Sequence, residues 1–313
     1  MVKSAIAGTV GIVMILLALD CGDRAVAAEV SRFVFSGDGQ IDIYSRKNGL
    51  GFTGRYRTRP GVYDPTAIEK ICRVFDAPYD PLRPRLSLRL LEYIDYLEDH
   101  HRPGARVVIT SGYRSPEYNT KVRKGGGLAA KASLHQYGMA ADFMVDGVSS
   151  REVWETVKTL RFGGAGYYHG ETLHVDVGPA RSWDENSSGV GTGISDDNKL
   201  IDLVTDFDVY LPGEEMTLRF TRMTAFPIGV NPVFFLDPEA ASTAAAAFEP
   251  ELAVPSRGPC PQFHDIEQMD GIRWRLPRNL APGRYSVRAR FCDSPWAKMP
   301  REVRTPVFEV VPP

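Results

Sequence analysis

The chain has 313 residues, of which 43% are hydrophobic and 24% charged, an ordinary globular composition long enough for about two domains. Disordered and collagen-like chains are excluded. With 37 Lys and Arg against 39 Asp and Glu the formal charge is -2, so no global field draws the chain to nucleic acid or anionic lipid, and no nucleic-acid partner is expected.

Lys3, the almost continuously apolar or small run 5–19 and Ala25-Val26-Ala27-Ala28 predict a secretory signal peptide over residues 1–28, and hence a periplasmic or secreted protein. The run falls short of the roughly 20 residues that span a bilayer, so membrane attachment follows only if this segment stays uncleaved. Asp20 ahead of Cys21 disfavours lipidation there.

Between residues 32 and 57, Ser36-Gly37-Asp38-Gly39 and Lys47-Asn48-Gly49 punctuate alternating stretches, the pattern of short hairpin strands. Asp64-Pro65 then starts a helix whose apolar stripe is Ile68, Ile71, Cys72 and Phe75. Ser87 opens a second helix with Leu88, Leu91, Ile94 and Leu97 on one face, closed by His100, His101 and Arg102, cations that suit its negative end. A strand over 106–110, a helical turn from Ser115-Pro116, and a helix with Ser149 and Glu152 as a capping box follow. Two short strands, 165–168 and 172–177, pair through His169-Gly170.

These elements predict an α+β domain over 29–183, including an N-terminal hairpin extension. Residues 184–199, rich in Ser, Gly and Asp, read as a linker. From 200 to 313, period-two stretches such as 216–220, 272–276 and 285–291 between Pro/Gly turns predict an all-β sandwich. The run 240–247 is either a short helix or a low-complexity loop. Once the signal segment is removed, Cys72, Cys260 and Cys292 remain. Cys72 sits on an apolar helix face and is expected as a buried free thiol, with Cys260 and Cys292 bridged.

The chemistry concentrates in Ser133-Leu134-His135-Gln136-Tyr137-Gly138-Met139-Ala140-Ala141-Asp142 and in Glu171-Thr172-Leu173-His174-Val175-Asp176. Two histidines and one carboxylate suit an open catalytic zinc, with water as fourth ligand. Gly138 lets the chain turn so that His135 and Asp142 converge. On the second strand His174 and Asp176 share a face, while Val175 and Val177 face the core.

With Ser111-Gly112-Tyr113-Arg114-Ser115 these motifs resemble the D-Ala-D-Ala metallopeptidase family of D,D-carboxypeptidases, vancomycin-resistance dipeptidases and periplasmic peptidoglycan endopeptidases, whose zinc fold is shared with lysostaphin and hedgehog. The resemblance covers roughly residues 87–183 and leaves out the C-terminal sandwich. It implies an antiparallel-sheet zinc peptidase domain with Zn2+ on His135, Asp142 and His174. By the same resemblance Glu171 is the general base, and Arg114 stabilises the oxyanion or holds a substrate carboxylate. Asp176 orients a ligand imidazole or serves as the base instead. Ser133, Tyr113 and His169 are the candidate substrate-binding residues. The expected partners are peptidoglycan stem peptides, and the bond cut, a terminal D-Ala or a crosslink, stays open. So does the reading in which the fold bears zinc but acts only as a cell-envelope binding protein.

Overall fold

The computed structural model describes residues 30–81, 84–127, 129–240, 244–252, 258–292 and 295–313; the expected signal peptide lies outside them. In chain order the first region contains β1 (Gln40–Ser45), β2 (Gly51–Arg55), β3 (Arg57–Arg59), β4 (Val62–Tyr63), α1 (Pro65–Val74) and α2 (Leu88–His101). It continues with β5 (Arg106–Ser111), α3 (Pro116–Lys124), β6 (Ala140–Val145), α4 (Ser150–Leu160), β7 (Gly164–Tyr167), β8 (Leu173–Asp176) and β9 (Arg181–Asp184). The architecture is α+β, as the sequence implies.

Seven of these strands form one sheet in the order β2-β1-β5-β6-β8-β7-β9. It is mostly antiparallel, but β1 runs parallel to β5 and β7 parallel to β9. The first parallel pair follows from the route between them, since the chain crosses over through α1 and α2 before re-entering the sheet. Alternation decides the two faces. Ile41, Ile43, Val107, Ile109, Phe143, Val145, Leu173 and Val175 are buried on one, against which α1 packs at β1 and β2 and α4 at β7 and β8. The other face carries Asp142, His174 and Asp176, because Asp142 pairs with His174 and Ala140 with Asp176 across β6 and β8.

Helix α1 starts as its residues require: the Asp64 carboxylate accepts from the amides of Thr66 and Ala67, with proline in the first turn. Its buried face holds Ile68, Ile71 and Cys72, the last a free thiol. Helix α4 departs from expectation, because Ser149 makes no side-chain cap bond. Glu152 lies instead within 3.5 Å of His101 at the end of α2, a tertiary contact that replaces the local one.

Among the described residues the C-terminal region is strand and turn with one 3-10 helix, Gln268–Gly271. β10 (Asp202–Thr205), β11 (Val209–Tyr210) and β12 (Glu215–Thr221) begin it. A three-stranded sheet joins β10, β12 and Ile272–Arg275, and a six-stranded sheet contains β11, Phe308–Val310, Gly283–Arg290, Phe234–Pro238, Ala246–Phe248 and Glu302–Arg304. The run 240–247 is thus neither helix nor loop at its end. Phe248 pairs with Phe234 and stacks on Trp274 at 3.6 Å, and that contact draws Ala246–Phe248 into the sheet. Cys260 and Cys292 are joined. The two regions share one continuous core: Arg89 of α2, itself buried, donates to the Thr205 carbonyl and to Asp208 at 2.9 and 2.8 Å.

Candidate metal centre

His135 sits in a single 3-10 turn, Leu134–Tyr137, which ends on Gly138 at φ 63°. A side chain at Gly138 is excluded twice over, by this left-handed backbone and by the Arg85 carbonyl, which occupies the space a Cβ would need. The turn delivers the chain into β6, and Asp142 follows two residues inside the strand. Opposite it, β5 shifts register between Ile109 and Ser111, and such a bulge re-aims side chains at a strand end. Here it sets Ser111 against Asp142, and the Ser111 hydroxyl accepts from Arg114 Nε at 3.0 Å.

Three ligand atoms converge. His174 Nδ1 lies 2.9 Å from Asp142 Oδ1, His135 Nε2 lies 3.2 Å from His174 Nδ1, and His135 Nε2 lies 3.5 Å from Asp142 Oδ1. All three residues are buried. The outer nitrogens fix what the inner ones offer. His135 Nδ1 faces the Gly112 carbonyl at 2.7 Å, an acceptor only, so Nδ1 carries the hydrogen and Nε2 a lone pair. His174 Nε2 faces the Asp176 carboxylate at 2.9 Å, so it carries the hydrogen and a neutral ring presents a lone pair at Nδ1. With His174 neutral, two imidazole lone pairs and a carboxylate oxygen point at one another; with it protonated, the form that Asp142 and Asp176 favour, Nδ1 donates to Asp142 Oδ1. A cation resolves the neutral arrangement, and the donor set N, N, O is one that zinc accepts.

The surroundings hold these atoms still. Asp142 Oδ2 accepts from Arg114 Nη2 at 2.8 Å, and Oδ1 from the Tyr168 hydroxyl at 3.1 Å. Burial would raise the Asp142 pKa, but His135 and His174 outweigh it and hold the carboxyl well below its usual range. Asp176, wholly buried, accepts at Oδ1 from the amides of Gly164 and Gly178 and from Arg181 Nη1 at 3.1, 3.0 and 3.0 Å. Its Oδ2 accepts from Arg181 Nη2 at 2.6 Å as well as from His174. Here too burial is overcome, chiefly by Arg181, and the pKa is depressed. Gly164 is required beside it, because a Cβ there would overlap the Asp176 carboxylate. Trp183 of β9 lies against His174, with ring centroids 5.0 Å apart.

The other candidate residues are dispersed. Glu171 stands in the turn before β8 with 73% of its side chain exposed, 3.6 Å from Arg46 Nη1, and it does not line the cavity that opens on His135 and His174. Ser133 and Arg114 do line that cavity. Tyr113 packs against the core, where Arg85, Arg219 and Glu267 act on its hydroxyl. His169 is exposed at φ 55° and packs on the Tyr167 ring at 4.6 Å. Tyr168, Arg181 and Trp183 are contacts that sequence spacing did not assign.

Residues 40–183 match the family described as peptidoglycan L,D-endopeptidase MepK. That match supports the resemblance of this part of the chain to the D-Ala-D-Ala metallopeptidase family. The peptidoglycan L,D-endopeptidase MepK of Escherichia coli K12 is 38% identical over 78 residues, 25% of this chain and 43% of that protein. A probable peptidoglycan L,D-endopeptidase MepK of Haemophilus influenzae is 40% identical over 80 residues, again 25% and 43%. The chain thus spans less than half the length of these curated relatives. Among solved structures, a Pseudomonas fluorescens alkylpurine DNA glycosylase AlkC bound to DNA covers 38% of this chain and 36% of its own, at a TM-score of 0.21 and 15% identity. A likeness that slight carries no argument. Among the described residues, no helix is long and apolar enough to cross a membrane.

Proposed function

We propose that residues 29–183 form a zinc peptidase that hydrolyses peptide bonds in peptidoglycan, with His135 Nε2, Asp142 Oδ1 and His174 Nδ1 as the metal ligands. The observation that carries this reading is the meeting of two imidazole nitrogens and a carboxylate oxygen within 4.8 Å of one another. Zinc in such a site supplies a Lewis acid that polarises the scissile carbonyl and brings the pKa of its water toward about 7. Arg114, fixed by Asp142 and Ser111, holds positive charge beside the ligands, where negative charge grows in the transition state.

Glu171 is the proton acceptor in this reading, and Asp176 the residue that orients His174. The support is a contrast in freedom. Both Asp176 oxygens already accept from four donor groups away from solvent. Among the described residues the Glu171 carboxylate meets only an exposed arginine at 3.6 Å, a class of contact worth about 0–1 kcal/mol. It can swing toward the cleft, accept a proton from water and return it to the leaving amine. The relatives named L,D-endopeptidases favour an L,D-crosslink as the bond cut over a terminal D-Ala. The remaining assignments belong to the same proposal: a signal peptide over 1–28, a periplasmic or secreted location, a connecting segment over 184–199 and an accessory β-sandwich over 200–313.

Digestion of purified sacculi, with the released fragments identified by mass, tests the reading. Glu171→Gln is expected to lower turnover by about 10²- to 10⁴-fold while zinc content and melting temperature hold. A near-normal rate in that variant contradicts the base assignment. A parent protein that binds zinc yet cleaves no fragment favours the binding-protein alternative.

A further inference from the structure

The cavity that opens on His135 and His174 encloses about 560 Å³, and part of its wall comes from beyond residue 183: segment 185–196 and Arg222. Five cationic side chains line it, Arg114, Arg123, Lys131, Arg181 and Arg222, against the carboxylates of Glu185 and Asp196. Three of the five are engaged within the protein: Arg114 by Asp142, Arg181 by Asp176, and Lys131 by Asp196 at 3.7 Å. Arg123 is exposed to solvent. Arg222 differs from all of these. It is half-buried, and among the described residues no hydrogen bond or ion pair within 4 Å engages its guanidinium. Burial and the neighbouring Arg181 both disfavour its charge, and the charges of Asp202 and Asp176 offset them only in part.

Such a cation is costly to keep. Its backbone adds to the cost, because Arg222 has φ 59°, a left-handed conformation that non-glycine residues adopt mainly when the surrounding structure imposes it. The imposing contacts are visible on either side. Arg219 Nη1 donates to the Tyr137 carbonyl at 2.8 Å, and the Met223 amide donates to the Tyr137 hydroxyl at 3.0 Å. Tyr137 ends the same 3-10 turn that holds His135. The two ties flank Arg222 in sequence, and they register it against a metal ligand.

We propose that Arg222 is the anchor of a carboxylate-binding subsite, which takes a free carboxylate of an acidic peptide lying across the cleft. The C-terminal region thereby supplies a specificity-determining residue to a site whose metal ligands all come from the first region. The planar guanidinium suits bidentate recognition of a carboxylate, and the cost of holding it unpaired is recovered when the ligand arrives. That the ligand is a peptide rests on the hydrolase reading; that the subsite takes a carboxylate rests on Arg222 itself.

Calorimetric titration of the full chain with two probes separates these claims. One probe is a soluble peptidoglycan stem tetrapeptide with free carboxylates, and the other is the same peptide with its carboxylates amidated. The wild-type chain is expected to bind the free form about 10- to 100-fold more tightly. Arg222→Asn suits the left-handed backbone, so fold, melting temperature and zinc content should hold while the ratio of the two affinities collapses toward one. Arg222→Lys, which keeps charge without the fork, should retain an intermediate ratio. A wild-type chain that does not distinguish the peptides overturns the subsite. So does an Arg222→Asn chain that keeps the full ratio or weakens both peptides equally, since that is a structural effect on the His135 turn. A chain that discriminates as expected yet cleaves no peptidoglycan fragment refutes the hydrolase reading and leaves the subsite standing.

Discussion

Two clusters in the first region bring three candidate ligands within 4.8 Å of one another: His135, Asp142 and His174 on the sheet, and Asp38, Asp95 and Asp99 where α2 meets the loop before β1. Proximity alone does not distinguish them. What distinguishes them is where the hydrogens are. In the first cluster the outward atoms are held by Gly112, Asp176 and Arg114, and the inward atoms, of which Asp142 Oδ1 also accepts from Tyr168, face each other. In the second, one oxygen each of Asp95 and Asp99 holds the loop, while Asp95 Oδ1 is buried without a partner among the described residues. Asp95 Oδ2 accepts from the Gly39 amide and the Tyr56 hydroxyl at 2.9 and 2.8 Å, and Asp99 Oδ2 accepts from the Asp38 amide at 2.6 Å.

Burial raises every one of these pKa values, and the neighbours decide the outcome. Asp142 and Asp176 are buried beside cations and histidines, and their pKa values fall. Asp95 is buried without a cation, and desolvation, aided by the charges of Asp99 and Asp38, pushes it up to about 8. A carboxyl that keeps its proton near neutrality is a poor metal ligand. The acidic cluster thus reads as a loop anchor and the histidine cluster as a metal site.

The largest effect that would break this contrast comes from Asp176→Asn. The amide sets a donor against His174 Nε2 or Arg181 where both need an acceptor. Removing one partner of such a buried pair costs about 3–5 kcal/mol, so chemical denaturation of the metal-free variant should show a loss of that order. Zinc affinity should fall about 10- to 100-fold, as when a residue that orients a ligand imidazole is removed. Unchanged zinc affinity would mean that Asp176 does not set the His174 tautomer.

A smaller effect sharpens the contrast from the other side. The folded pKa of Asp95 lies above its unfolded value of about 3.9, so its contribution to stability is complete below that value and is lost as pH rises through about 8. Between pH 5 and pH 9 this group should remove about 1–3 kcal/mol of stability from the parent chain, and Asp95→Asn, which cannot ionise, should flatten that part of the profile. Denaturant melts across this range decide it. A profile equally steep in the variant would assign the pH dependence elsewhere, for instance to Glu98, which burial pushes up to about 7.

Much of this was legible in the sequence, and the reason is local. The Asp64 cap, the α1 stripe and the period-two placement of His174 and Asp176 need only a few consecutive residues to declare themselves. Three motifs in fixed order carried the family. Contacts between distant segments were not legible. Arg222 meets the His135 turn through residues more than eighty positions away, and Arg181 completes Asp176 through a bend that has no period. The failed capping box at Ser149 has the same cause, because Glu152 answers to His101 on another helix. Glu171 shows the limit from the other direction: its spacing from His174 matches the family, while its side chain lies out toward Arg46.

The central claim is that one zinc binds, at His135, Asp142 and His174, and none at the acidic cluster. Elemental analysis of the full chain after dialysis against limiting zinc tests it directly, with His174→Ala and Asp95→Asn prepared in parallel. The account predicts one equivalent in the parent, one in Asp95→Asn and none in His174→Ala. A full equivalent retained by His174→Ala, or one lost in Asp95→Asn, would contradict it.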